Sequence, residues 1–125
     1  MKKFAIYQLP ALLFAVAIFI GSSIPGPQMP KVVLSVPDKI LHVCEYSVFA
    51  FLIYRAIKNQ RRWKGLIRVA IIFTIVYASA YAASDEFHQS FVPGRTMDFY
   101  DWLADTIGAF TGTGIGVLIY KRINL

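Results

Sequence analysis

Four long apolar stretches constrain the fold more than any other feature of the sequence. They run over about residues 4–24, 38–57, 66–83 and 102–120. A helix needs roughly 20 predominantly apolar residues to cross a hydrocarbon core of about 30 Å. With 57% hydrophobic and only 16% charged residues, the chain is too apolar for an ordinary soluble domain. The sequence therefore predicts a single all-α membrane domain over residues 1–125, a compact bundle of four transmembrane helices.

The first stretch also has features of a secretory signal peptide, because Lys2 and Lys3 precede an apolar run that ends in Gly21, Ser22 and Ser23. Its apolar region is longer than the usual length of about 7–15 residues, and no clear small-x-small cleavage pattern follows. We therefore expect it to remain as a membrane anchor.

The charges are segregated along the chain. Ten of the thirteen basic residues fall at the termini and around the second loop: Lys2, Lys3, Arg55, Lys58, Arg61, Arg62, Lys64, Arg68, Lys121 and Arg122. The positive-inside rule makes these segments, including both termini, cytoplasmic. The other side carries all seven acidic residues: Asp38, Glu45, Asp85, Glu86, Asp98, Asp101 and Asp105. Membrane orientation thus explains the basic excess better than a nucleic-acid partner does.

Titratable residues enter the second span. Side chains advance by about 100° per residue on a helix, so Asp38, His42, Glu45 and Phe49 share one face. Glu45 lies roughly 10 Å below Asp38 along that face. Interhelical hydrogen bonding would explain His42 alone, but two acids and a base together indicate a functional site.

The end of the third span is equally polar. If the helix continues for a turn beyond Ser84, one side carries Asp85, His88 and Gln89, and another carries Glu86. A capped and solvated helix end is the alternative. After it, Phe91 and Val92 are predicted to pack the loop back onto the bundle before Pro93 and Gly94 turn the chain. Arg95 would then lie near the carboxylates of both flanking helices.

The fourth span begins with acids at spacings of three and four residues, namely Asp98, Asp101 and Asp105. A glycine at every fourth position follows, at Gly108, Gly112 and Gly116. Such a small-xxx-small stripe lets another helix approach closely. We interpret it as a helix-packing face that turns Asp105 away from lipid, and the same stripe also allows an oligomer contact.

Three ordered motifs resemble the VanZ-like family of bacterial integral membrane proteins. They are Asp38-Lys39-x-x-His42-x-x-x-Tyr46, then Asp85-Glu86-x-x-Gln89-x-Phe91-x-Pro93-Gly94-Arg95, then Asp101 followed by the Gly108/Gly112 region. The family commonly has Asn at the position of Asp105. The resemblance implies a multi-pass protein of the bacterial cytoplasmic membrane with a link to reduced susceptibility to teicoplanin-type glycopeptides.

The resemblance favours a recognition site on the extracytoplasmic side for an amphiphile, either a lipid-linked envelope precursor or a lipoglycopeptide. Arg95 would hold a phosphate or carboxylate through its planar fork of donors. The ligand-binding candidates are Asp38, Lys39, His42, Tyr46, Asp85, Glu86, Gln89, Arg95, Asp98, Asp101 and Asp105.

Two alternatives stay open. One is a membrane-embedded enzyme acting on such a lipid, with general acid–base candidates His42, Glu45, Glu86 and His88. Two histidines and several carboxylates could also hold a metal, but no H-E-x-x-H spacing, nucleophile elbow or Cys/His cluster occurs. We therefore expect no metal and no cofactor. The other alternative is a small transporter or proton pathway, because intramembrane acids and histidine suit proton relays.

Overall fold

The computed structural model describes residues 2–123, and this part of the chain is helical with no β-strand. Seven α-helices follow one another along it: α1 (Lys2–Tyr7), α2 (Leu9–Ser22), α3 (Lys31–Leu34), α4 (Asp38–Asn59), α5 (Lys64–Arg68), α6 (Ala70–Gln89) and α7 (Phe99–Ile123). A 3₁₀ turn over Gly26–Gln28 lies between α2 and α3. The predicted all-α class is confirmed for these residues.

Two of the helices, α4 and α7, are long and apolar enough to cross a membrane. α2 is a shorter apolar helix of 14 residues. α6 has 20 residues, but its mean hydropathy is lowered because the helix continues past the predicted end of the third span, through Asp85, Glu86 and His88. It also begins later than predicted, at Ala70, because the chain from Lys64 to Arg68 forms the separate helix α5.

The first apolar stretch forms a helix that is interrupted near Gln8. The helical bonds continue on both sides, since Gln8 N donates to Phe4 O at 2.9 Å and Leu12 N donates to Gln8 O at 3.2 Å. Pro10 lies in the first turn of α2 and has no N–H to continue the ladder. At the interruption, the Gln8 side chain donates a hydrogen bond to the Ala56 carbonyl of α4, at 3.3 Å.

α4 and α7 lie against each other along most of their length, and glycines of α7 permit the approach. A Cβ at Gly108 would lie 2.6 Å from the Val43 carbonyl oxygen, and one at Gly116 would lie 2.6 Å from the Tyr54 ring. Gly112 meets the backbone of Ser47 in the same way. The glycine face is therefore occupied within the chain, and the surface that the sequence offered for an oligomer contact is already covered by α4.

Aromatic residues fill the centre of the bundle between α2, α4 and α6. Tyr46 and Phe49 are each 1% exposed, and their rings meet edge to face at 5.8 Å between centroids. The Phe49 ring lies 5.1 Å from that of Tyr81, whose hydroxyl donates to the Ala15 carbonyl at 2.7 Å. This packing fixes the mutual rotation of the three helices, which in turn decides where their polar side chains meet.

The loop after α2 and the loop after α6 contact each other. Gly26 N donates to the Pro93 carbonyl at 3.0 Å, and Gly94 adopts φ 73°, a conformation that favours glycine. Val92 packs inward with 8% exposure, whereas Phe91 is 72% exposed. The prediction that both apolar residues pack the loop onto the bundle is therefore correct for Val92 and wrong for Phe91.

Candidate functional site

The acidic residues gather at one end of the bundle, where α4 and α7 begin and α6 ends; we call this the polar end. α4 and α6 are antiparallel neighbours, so the start of α4 lies beside the end of α6. The contacts of Lys39 with Asp98 and of His42 with Asp105 join α4 to the start of α7. Side chains that are about 60 residues apart in sequence thus become neighbours.

Lys39 of α4 pairs with carboxylates at the start of α7. Its Nζ lies 3.0 Å from Asp98 Oδ2, forms a second ion pair with Asp101, and lies 3.7 Å from Asp38 Oδ2. Asp98 precedes α7, and its Oδ1 accepts the Tyr100 N–H at 2.8 Å, the arrangement of an N-cap. That N–H, together with the Lys39 ammonium, lowers the pKa of Asp98 below its ordinary value.

Each ring nitrogen of His42 faces carboxylates, one at Nδ1 and two at Nε2. Its Nδ1 lies 2.7 Å from Asp105 Oδ1, and Asp105 is only 1% exposed. Its Nε2 lies 3.7 Å from Asp38 Oδ1 and 3.9 Å from Asp101 Oδ2. A buried carboxylate therefore orients the imidazole from α7, while the opposite edge of the ring faces two further acids.

Glu86 reaches the same region from α6. Its Oε2 accepts the backbone N–H of Asp98 at 2.9 Å, which links the end of α6 to the start of α7. The residue is 3% exposed. Its Oε1 is buried and has no hydrogen-bond partner within residues 2–123. Oxygen or nitrogen atoms of Glu86, His42 and Asp105 all lie within 4.8 Å of one another.

A second polar chain runs along the other side of α6. Ser22 Oγ donates to Asp85 Oδ1 at 2.6 Å, and Gln89 Nε2 donates to Asp85 Oδ2 at 3.1 Å. Gln89 Oε1 in turn accepts from Arg95 Nη2 at 2.9 Å, while Arg95 Nη1 points at Met29 Sδ, 3.2 Å away. Over the described residues Arg95 has no carboxylate within 4.0 Å, so it reaches Asp85 through Gln89.

A cavity of about 530 Å³ opens between α2, α4 and the loops at the polar end. Apolar residues of α2, α3, α4 and the loop between α2 and α3 line part of it, namely Ile18, Ile24, Met29, Val33, Leu41 and Val48. Six charged or polar residues also line it, namely Asp38, His42, Glu45, Asp85, Gln89 and Arg95. Glu45 accepts no side-chain hydrogen bond from any described residue, so its carboxyl group is left to the cavity.

Two of the predicted site residues, His88 and Tyr46, form no hydrogen bond or ion pair with the acidic residues of the polar end within residues 2–123. His88 faces α2, where its Nε2 lies 2.9 Å from Ser23 Oγ and its ring stacks on Phe19 at 4.6 Å. Glu86 and His88 therefore point to different sides of α6 and do not form an acid–base pair. Tyr46 lies in the aromatic core, and its buried hydroxyl finds no partner among residues 2–123.

Three residues contribute to the polar end although little in the sequence marks them as candidates. Ser22 bonds Asp85, Ser23 bonds His88, and Met29 contacts Arg95. The only signal in the sequence was the pair of serines at the end of an apolar helix. Met29 belongs to a proline-rich loop whose path depends on its contact with the loop after α6, and nothing in its sequence context marks it.

The family model described as VanZ/LLP1 matches residues 6–120, nearly the whole chain. No curated protein and no solved structure matches the chain.

Proposed function

This chain belongs to the VanZ/LLP1 family, and on that premise we propose that it is a multi-pass membrane protein that binds the head of an amphiphile at the polar end. The amphiphile is a lipid-linked envelope precursor or a lipoglycopeptide, and binding it lowers susceptibility to antibiotics of the teicoplanin type. The cavity carries this proposal, because its lining combines apolar side chains with charged and polar ones.

The bundle crosses the membrane four times in this proposal, through α1 with α2, then α4, α6 and α7. Each of these segments exposes large apolar side chains, for example Leu13 at 59%, Ile72 at 67%, Val48 at 46% and Leu118 at 65%. Extensive exposed apolar surface favours contact with lipid. Ten of thirteen basic residues lie at the end opposite the acids, so the positive-inside rule places the termini in the cytoplasm and the polar end outside.

The mixed lining of the cavity suits the two parts of an amphiphile. Ile18 of α2 and Val33 of α3 would contact an acyl or isoprenoid chain. Asp38 and Glu45 of α4 would contact amines or hydroxyl groups. A volume of about 530 Å³ lies within the usual range of small-molecule sites, about 300–1,000 Å³.

Arg95 is the anion anchor of the proposed site. Its guanidinium is planar and suits bidentate binding of phosphate or carboxylate. One of its donors rests on Met29 Sδ, and a thioether sulfur is a weak acceptor. A ligand oxyanion would be a much stronger acceptor than this sulfur. Replacing the contact with Met29 by a contact with the ligand therefore favours binding. Gln89 keeps the guanidinium at the cavity through the 2.9 Å hydrogen bond.

A second candidate function is acid–base catalysis on an envelope lipid. The observation in its favour is His42, whose Nδ1 lies 2.7 Å from the buried Asp105 while the residue lines the cavity. A carboxylate that orients an imidazole is the usual support for a general base. Turnover of a lipid-linked precursor by the purified protein would favour this candidate over recognition alone.

The first prediction tests Arg95 in a teicoplanin-sensitive Gram-positive host. The intact protein should raise the minimal inhibitory concentration, and Arg95→Gln should return it to the level of an empty vector. A hydrogen bond to a charged group contributes about 1.5–3 kcal/mol, so teicoplanin affinity of the purified variant should fall about 10-fold to 100-fold.

The matched control is Lys31→Gln, which removes one positive charge from the exposed helix α3. It should protect as well as the intact protein, with all variants compared at equal membrane abundance. Equal protection by Arg95→Gln and by the intact protein would contradict the anchor. Absence of protection from every variant would contradict the resistance role. The affinity of the purified protein for lipid-linked precursors would then decide whether the cavity binds an amphiphile.

A further inference from the structure

Three side chains from three different helices meet inside the polar end: His42 of α4, Glu86 of α6 and Asp105 of α7. Each offers one nitrogen or oxygen atom, and these atoms all lie within 4.8 Å of one another. His42 Nδ1 and Asp105 Oδ1 are 2.7 Å apart. We propose that this cluster binds a divalent transition-metal ion, either Zn²⁺ or Mn²⁺.

Glu86 supplies the observation that points to a ligand. The residue is 3% exposed, its Oε2 is occupied by the Asp98 N–H, and its Oε1 is buried without a partner among the described residues. Leaving a buried polar group unsatisfied costs about 1–3 kcal/mol, and more for a charged one. Such atoms are uncommon in folded proteins. A cation between Glu86, His42 and Asp105 would satisfy this oxygen.

The charge balance points the same way. Glu86 and Asp105 are both buried, and the side-chain cations of Lys39 and Arg95 are directed elsewhere. Lys39 pairs with Asp98 and Asp101, and Arg95 with Gln89 and Met29. An uncompensated buried charge is strongly destabilising. Within residues 2–123 only the imidazole of His42 faces both carboxylates, and a divalent ion would neutralise them.

The ligand types select the class of metal. An imidazole nitrogen suits Zn²⁺ and other late transition ions, whereas carboxylates also suit Mn²⁺. Groups around a metal site usually orient its ligands. His42 turns its other nitrogen, Nε2, toward Asp38 at 3.7 Å and Asp101 at 3.9 Å. The Asp98 N–H holds Glu86 in place through the other oxygen of its carboxylate.

The sequence alone favoured no metal, because the ligands show none of the usual local spacings. His42, Glu86 and Asp105 come from separate helices, and helix packing alone brings them together. All three ligands belong to this chain, so the site does not depend on the proposed amphiphile. Loss of metal binding and loss of amphiphile binding can therefore be measured separately.

The test is metal binding by the full-length protein, purified in detergent, stripped with a chelator and dialysed against Zn²⁺ or Mn²⁺ at known free concentration. Elemental analysis should find about one ion per chain, and the ion should raise the unfolding temperature. Glu86→Gln should weaken binding at least about tenfold, since even loss of a supporting contact typically costs about 10-fold to 100-fold. Lys31→Gln replaces an exposed charged residue outside the cluster and should bind the ion as the intact protein does.

Absence of a stoichiometric ion in the intact protein would overturn the proposal, and so would equal affinity in the intact protein and Glu86→Gln. If Glu86→Gln does not fold, His42→Gln replaces it, because that variant keeps both carboxylates and removes only the nitrogen ligand. Co²⁺ bound to the intact protein should give an absorption spectrum that His42→Gln alters. An unaltered spectrum would place the ion elsewhere and contradict the site.

Discussion

The contact between His42 and Asp105 depends on a third residue, Gly108. Asp105 Oδ1 lies 2.7 Å from His42 Nδ1, and this distance requires α4 and α7 to be close together. Gly108 follows Asp105 by three residues, and a Cβ there would lie 3.0 Å from the Tyr46 Cβ. The glycine thus permits the approach that brings the buried acid to its partner. Packing and electrostatics are coupled at this position.

The second prediction concerns Asp105, where the resemblance implies that Asn is common. Asp105→Asn keeps an oxygen for His42 and should cost about 1 kcal/mol of unfolding free energy, the scale of one hydrogen bond. Asp105→Ala leaves the imidazole without an acceptor and should cost more, up to about 3–5 kcal/mol if His42 stays charged. Thermal unfolding in detergent, without added metal, measures both.

Asp105→Asn should therefore be more stable than Asp105→Ala. If Asp105→Ala unfolds at the same temperature as Asp105→Asn, His42 does not depend on an acceptor at this position. The interpretation of His42 and Asp105 as a coupled pair would then be wrong. Circular dichroism should first establish that both variants keep the helical content of the intact protein.

Among the helices, the α4–α7 pair organises the bundle. The glycines that face α4 lie against its backbone and aromatic atoms, whereas a methyl group at Gly114, on the other side of α7, would meet no atom within 4 Å. In a lipid environment close packing, and not hydrophobic burial, provides much of the attraction between helices. The pair therefore depends on the absence of side chains at a few positions.

The third prediction is that Gly112→Ala destabilises the bundle. The added methyl would collide with the Ser47 backbone, which cannot rotate away, and overpacking of this kind typically costs about 1–3 kcal/mol. Gly114→Ala is the matched control in the same helix. Since nothing lies near it, it should be neutral or stabilise the helix, because alanine has the higher helix propensity by about 1 kcal/mol.

Unfolding temperatures of the two variants in the same detergent should move in opposite directions, or only that of Gly112→Ala should fall. Equal losses would mean that the effect arises from α7 alone and not from its contact with α4. Binding of the metal ion should also weaken in Gly112→Ala, because a wider α4–α7 spacing separates His42 from Asp105.

At the scale of the whole molecule, the sequence could predict the helices and the end at which the acids gather, since apolar length and charge segregation are properties of the chain itself. It could not predict which side chains meet. His42 and Asp105 are 63 residues apart, and their contact depends on the rotation of two helices that the glycines and aromatic residues fix together. Arg95 was expected beside carboxylates, but its loop places it against Gln89 and Met29.

The last prediction concerns the orientation of the molecule in the membrane. The end that carries Arg61 and the end that carries Lys31 lie on opposite sides of the bilayer in the proposed topology. In a Cys44→Ala background, Lys31→Cys should react with a membrane-impermeant maleimide in intact cells or protoplasts. Arg61→Cys should react only after the membrane is permeabilised. Both positions are exposed, so a difference in labelling reports the side and not burial.

The positive-inside rule strongly favours this outcome. In the opposite orientation, all the basic residues near the second loop would have to cross the membrane. Labelling of Arg61→Cys in intact cells together with protection of Lys31→Cys would reverse the topology and place the acidic cavity in the cytoplasm. An antibiotic or outer-leaflet precursor could not then reach it directly. The proposed recognition function would fail on that ground, whereas the metal site, which needs only the packing of α4, α6 and α7, would remain.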